Sequence, residues 1–186
     1  MNFFPVSRAR FRGLPINRHP GAFGCPRKHD IHTGIDLYGE EGDLVKAISN
    51  GVVIRNNQFT GVALGFPFWL DTDAVLVKSE KCFYLYGELK SELKEGDIVK
   101  SGDAIGRLAP VLPIDKIRPD ISGHSNVMLH LEKYDLTYDP NKQYNFGLYW
   151  PSWGLHSPKH SFLQDPTSDL IDILYNEDQN LKFLTI

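Results

Sequence analysis

Ala74-Val75-Leu76-Val77-Lys78, a polar Ser79-Glu80-Lys81, and Cys82-Phe83-Tyr84-Leu85-Tyr86 form the stretch whose reading decides the fold. β-Branched and aromatic residues fill both runs, and the short polar interruption between them predicts an antiparallel hairpin. Its far end delivers Gly87-Glu88-Leu89. Working outward, Leu44-Val45-Lys46-Ala47-Ile48, Ser49-Asn50-Gly51 and Val52-Val53-Ile54 read as a second hairpin, with Asn and Gly at a turn that favours positive φ. Val127 to Tyr134 is a further strand candidate. From about residue 30 to residue 135, short apolar runs alternate with Gly, Asn, Asp and Pro, which predicts an all-β fold.

The flanks are less regular. Residues 56 to 73 and 109 to 121 hold aromatic, Gly, Pro and Ile residues without a period, and read as loops at the rim of a sheet. Asp165 to Leu174 predicts a short helix. The expected division is an N-terminal segment over 1–20, the main domain over 21–135, and a C-terminal extension over 136–186 packed on that domain.

Composition narrows the partners. The chain has 186 residues, 41% hydrophobic and 23% charged, as expected of an ordinary globular protein. A net charge of −3 with scattered basic residues gives no Lys/Arg stripe for a phosphate backbone, so nucleic acid is not an expected partner. Cys25 and Cys82 lie in no Cys-x-x-Cys arrangement and read as unpaired small hydrophobes. No stretch approaches a membrane span, and Met1 to Gly13 lacks the apolar run of an export signal.

Two groups of residues can carry chemistry. His32-Thr33-Gly34-Ile35-Asp36 sets an imidazole and a carboxylate four residues apart, two ligand types that suit Zn²⁺. The alternative is a surface His near a turn Asp. In an extended strand the two would lie ~13 Å apart, too far to share an ion with ligands at ~2 Å, so the chain must bend, and Gly34 permits a bend. Met128-Leu129-His130-Leu131-Glu132 alternates, so Met128, His130 and Glu132 share one face. His130 is either a third ligand or a hydrogen-bonded structural histidine. Glu132 can orient that imidazole or be solvated.

Together these segments resemble the lysostaphin-type zinc endopeptidases of the M23 family. Phe23-Gly24, His32-Thr33-Gly34-Ile35-Asp36-Leu37 and Gly42 to Val53 look like its opening block. Tyr86-Gly87 followed by Lys94 to Gly106 looks like the central block, and Leu129-His130-Leu131-Glu132 like the closing one. The resemblance implies an all-β fold of antiparallel sheets, the duplicated hybrid motif, with peripheral loops and a short C-terminal helix. It also implies a Zn²⁺ held by His32, Asp36 and His130, with water in the fourth position, and peptidoglycan peptides as substrate. Synthesis in the cytoplasm and action at the cell envelope would follow.

Where such enzymes usually carry two more histidines, this chain has Glu88 and Met128. Met128 cannot move protons. Glu88 can act as general base, and His124 is a candidate substitute in a loop. Two functions therefore stand: a zinc endopeptidase with Glu88 as its base, and a non-catalytic zinc-stabilised module that binds peptidoglycan or a protein partner.

Overall fold

The computed structural model describes residues 3–28, 30–116, 127–144 and 160–177, with the backbone of 153–154 and 183–184. The candidate His124 lies outside the described residues. In chain order the elements are α1 (Ser7–Arg12), β1 (Leu14–Pro15), β2 (Asp30–Ile31), β3 (Ile35–Tyr38), β4 (Leu44–Lys46), β5 (Gly51–Thr60) and β6 (Thr72–Lys78). They continue with β7 (Phe83–Lys90), β8 (Ile98–Val99), β9 (Ala104–Leu108), β10 (Met128–Tyr134), β11 (Trp153–Gly154), β12 (Leu163–Gln164), α2 (Thr167–Glu177) and β13 (Phe183–Leu184).

Antiparallel pairing builds the main sheet in the order β12-β10-β7-β6-β5-β8, with β3 joined to β10 and β9 to both β7 and β4. The expected hairpin over 74–86 is present, with Lys78 opposite Phe83. Strand alternation sends the side chains to two cores. On one face Val75, Val77, Tyr84, Tyr86, Leu129 and Leu131 pack with Ile35 and Leu37, and are covered by Phe4, Val6 and Ala9 from the N-terminus and by Leu170, Ile173 and Leu174 of α2. On the other face Ala74, Leu76, Phe83, Leu85, Tyr134, Tyr138 and Leu163 form a smaller cluster. Burial on both faces explains why β6 and β7 read as nearly continuous apolar runs.

Two expectations need correction. Leu44–Lys46 and Gly51–Thr60 do not pair with each other: β4 pairs with β9, and β5 with β6 and β8. Gly51 is there for close packing, since a Cβ would fall 2.5 Å from the Lys78 carbonyl oxygen, and Asn50 accepts from the Ser101 N–H instead of making a hairpin turn. The loop expected from residue 56 starts later, because β5 runs on to Thr60, where the Thr60 and Thr72 hydroxyls bond across the pair at 2.7 Å. The chain bends at Gly34 as expected, and the missing side chain also lets the backbone of β10 approach, where a Cβ would meet the Leu131 carbonyl oxygen at 2.4 Å. The helix α1 had no counterpart in the sequence reading. Cys25 and Cys82 are both buried and free, as expected.

Candidate metal centre

Antiparallel pairing of β3 with β10 sets Asp36 directly opposite His130, and pairing of β7 with β10 sets Gly87 opposite the same histidine. His32 reaches the pair from the turn before β3. Its backbone is tied to the preceding segment by the His32 N–H to the Cys25 carbonyl at 3.0 Å and the Gly24 N–H to the His32 carbonyl at 2.8 Å. Three donor atoms then converge. His32 Nε2 lies 3.0 Å from Asp36 Oδ1 and 3.1 Å from His130 Nδ1, which is itself 3.1 Å from Asp36 Oδ1. Tetrahedral ligands at ~2.0 Å from a zinc ion are ~3.3 Å apart, so the triangle is already near the size the ion requires.

The remaining ring nitrogens fix the direction of the lone pairs. His32 Nδ1 donates to the Ala22 carbonyl at 2.9 Å, and His130 Nε2 donates to Glu132 Oε1 at 2.8 Å. Each ring therefore turns its other nitrogen inward, the arrangement that a metal-binding imidazole takes when its far N–H is held. Glu132 is itself held by the hydroxyls of Thr33 and Tyr134, so a buried carboxylate sets the orientation of His130. On the other side, Arg27 Nη2 takes Asp36 Oδ2 at 2.5 Å and the Pro20 carbonyl at 2.8 Å. That leaves Oδ1 as the Asp36 atom facing the histidines.

Protonation follows from these contacts. Burial lowers the pKa of His32 and keeps its ring neutral, although Asp36 pulls the other way. Burial alone would raise the pKa of Asp36, but the neighbouring His32, Arg27 and His130 hold it well below the usual carboxylate range. His130 also pays a burial penalty as a cation, yet hydrogen bonds to Asp36 and Glu132 push it up to about 10. Without metal, a proton on His130 Nδ1 stands where the ion would sit. An ion must displace it at any pH below about 10, so zinc affinity should rise as pH rises, by about tenfold per unit between pH 6 and 8. Competition with a chelator of known affinity at several pH values measures this, and a flat profile would mean that no such proton is displaced.

Glu88 follows Gly87, which faces His130, and sits in a bulge. Asp73 pairs with Leu89 and Val75 with Tyr86, so Ala74 alone faces Gly87 and Glu88. Glu88 adopts φ 63°, in the left-handed region that a non-glycine residue rarely enters. Its carbonyl is capped by the Ala109 N–H at 3.0 Å. The residue is half-buried, but Oε2 is out of solvent and has no hydrogen-bond partner among the described residues. Burial first, and then the charge of Asp36, push the Glu88 carboxyl up to about 8. A protein seldom leaves such an oxygen unpaired without a ligand, ion or reaction to explain it.

Of the sequence candidates, His32, Asp36, His130 and Glu132 are brought together, and Glu88 lies within electrostatic reach of Asp36 and His130. Met128 starts β10, opposite Tyr38. The sequence reading missed Arg27, Thr33, Tyr134 and Phe59. Tyr134 was legible, since it continues the alternation of His130 and Glu132. Phe59 stacks on the His130 ring at 5.5 Å between centroids, and fills the space where a Gly87 side chain would be.

Residues 30–111 match the sequence profile of peptidase family M23. Over those residues, less than half of its length, the chain has an M23-like peptidase domain. The matched stretch holds His32, Asp36 and Glu88; His130 follows it, on the strand that pairs with Asp36. Among solved structures, the M23 domain is similar to the antimicrobial peptidase lysostaphin from Staphylococcus simulans, with 20% identity over 88% of this chain and 53% of that one, and a TM-score of 0.50. The catalytic domain of lysostaphin gives 21% identity over 81% and 89%, with a TM-score of 0.47. A zinc-containing peptidase from Vibrio cholerae gives 20% over 72% and 36%, with a TM-score of 0.47. At these identities the likeness is one of fold. The chain spans about half the length of lysostaphin and about a third of the Vibrio peptidase. No curated protein matches it. Among the described residues, no helix is long and apolar enough to cross a membrane.

Proposed function

We propose that the M23 domain is a zinc-dependent endopeptidase that cuts peptidoglycan-type peptides through water activated at the metal. The observation that carries this reading is the convergence of His32 Nε2, Asp36 Oδ1 and His130 Nδ1, with Glu88, whose Oε2 has no partner among the described residues, within electrostatic reach of Asp36 and His130. Two imidazoles, both neutral once an ion has displaced the His130 proton, and one carboxylate are a donor set suited to catalytic zinc, which usually has three protein ligands. A zinc ion held there would supply Lewis acidity for the scissile carbonyl and make water nucleophilic near neutral pH.

The chain's own residues do the rest. Glu88 Oε2 takes the proton of the attacking water and can return it to the leaving amine, as a carboxyl of raised pKa suits both directions of transfer. Glu132 holds the Nε2–H of His130 so that Nδ1 keeps facing inward. Arg27 engages the outer oxygen of Asp36 and limits that carboxylate to one inward atom.

A second reading, a zinc-stabilised module that binds peptidoglycan or a protein partner without cutting, is favoured by Met128, which offers no proton where related peptidases use a histidine. Elemental analysis should find about one zinc per chain, and a peptidoglycan zymogram should clear only when chelator is absent. Less than about a tenth of an equivalent of any transition metal would overturn the metal centre. A zinc-loaded chain that binds sacculi and clears nothing would establish the second reading.

A further inference from the structure

From Gly61 to Leu70 the chain reads Gly-Val-Ala-Leu-Gly-Phe-Pro-Phe-Trp-Leu, without a charge and with only the Trp69 indole able to hydrogen-bond through its side chain. A loop of that composition would ordinarily be buried. Here Phe68 is 70% exposed, Val62 65%, Trp69 41% and Leu70 40%. A second uncharged stretch, Ala109 to Pro113, lies against it, joined by the Leu70 N–H to the Val111 carbonyl at 2.8 Å. A contiguous exposed apolar surface of this kind marks a site of interaction, unlike a single exposed aromatic residue such as Phe11.

The loop is also ordered. The Thr60 hydroxyl donates to the Leu70 carbonyl at 2.7 Å and Gln58 Nε2 to Asp71 Oδ1 at 3.0 Å, which closes the neck. Within it the N–H groups of Leu64, Gly65, Phe66 and Trp69 bond to loop carbonyls at 3.0–3.2 Å, Leu70 bonds to Val111, and Pro67 has no N–H. Phe66 and Trp69 stack at 4.8 Å.

We infer that this loop pair is a lipid-facing tip that dips into the interface of a bilayer. Backbone groups that leave water are best satisfied internally, and five of the nine N–H groups of this loop are paired within the protein. A protein or glycan partner would instead need polar complements, about one hydrogen bond per 100–200 Å² in protein interfaces, and these side chains offer almost none. Phe, Trp and Leu at the tip, with a cation at the foot, match the composition of membrane-interface anchors. Lys116 supplies that cation, with Nζ 5.3 Å from the Phe68 ring. Asp71 and Asp115 share the foot, so the attraction is apolar and does not depend on anionic lipid.

The test is co-sedimentation of the full chain with phosphatidylcholine vesicles. Binding is expected, and should change less than about twofold between about 0.1 M and about 0.5 M salt. The double substitution Phe68→Ser and Trp69→Ser should lower partitioning at least about tenfold, while Phe11→Ser should not. Phe68→Ser alone, at the most exposed position, should give part of the loss, and an unchanged melting temperature confirms that either variant is folded. No binding of the wild type, or equal binding of the double variant, overturns the inference. So does a tip that the double substitution disables for binding purified peptidoglycan, or for concentration-dependent self-association, while vesicles are ignored.

Discussion

Replacing His130 with alanine should remove the bound zinc, to below about a tenth of an equivalent, and abolish any peptidase activity with it. The imidazole supplies one corner of a three-atom triangle, and His32 and Asp36 cannot close a site by themselves. The loss extends past the metal. His130 is the ring on which Phe59 stacks, and its Nε2–H is a donor to the buried Glu132. With that donor gone, Glu132 keeps only the hydroxyls of Thr33 and Tyr134. Losing one donor to a buried carboxylate costs about 2 kcal/mol, which lowers the melting temperature of a chain this size by roughly 4–8 °C. Metal analysis and a thermal melt on the same sample check both halves. Unchanged metal content would remove His130 from the site, and Glu132→Gln should give a milder form of the same defect, weaker metal affinity with the ion still bindable.

Glu88→Gln is expected to separate chemistry from binding. The amide keeps the shape of the carboxylate and the bulge that presents it, but cannot accept a proton. Zinc content and melting temperature should stay near those of the wild type, while turnover falls at least about a hundredfold, the lower end of general-base assistance. The pH profile gives a second readout. Activity in the wild type should rise as the carboxyl loses its proton, and this limb should vanish in the variant. Full activity would remove Glu88 as the base. Loss of zinc would make it a fourth ligand in a closed centre, in keeping with the binding module.

Much of this site was legible because strand alternation is a local rule. Leu129 and Leu131 read as core and His130 and Glu132 as the opposite face, and pairing to β3 then brought Asp36 across. Other parts depend on contacts that no local pattern encodes. The pairing of β4 with β9 was hidden because Ser49-Asn50-Gly51 has the composition of a hairpin turn, yet Gly51 answers to the backbone of Lys78. Arg27 reaches Asp36 through a turn with no periodicity. The left-handed Glu88 could be placed at a strand end from the sequence, but the extra residue that turns it inward is visible only in the register of β6 against β7.

Gly87, Phe59 and His130 form a stack with no slack in it. The Phe59 ring occupies the room that a Gly87 Cβ would need, at 2.8 Å, and rests on the imidazole. Thr60, the next residue, anchors the apolar loop through its hydroxyl bond to Leu70, and the Ala109 segment that caps Glu88 leads directly into the second stretch of that tip. The exposed tip is thus joined, through one strand end, to a ring that lies against the proposed ligand His130. A substitution that reshapes the neck of the loop would therefore reach His130 through Phe59, one residue from the Thr60 anchor.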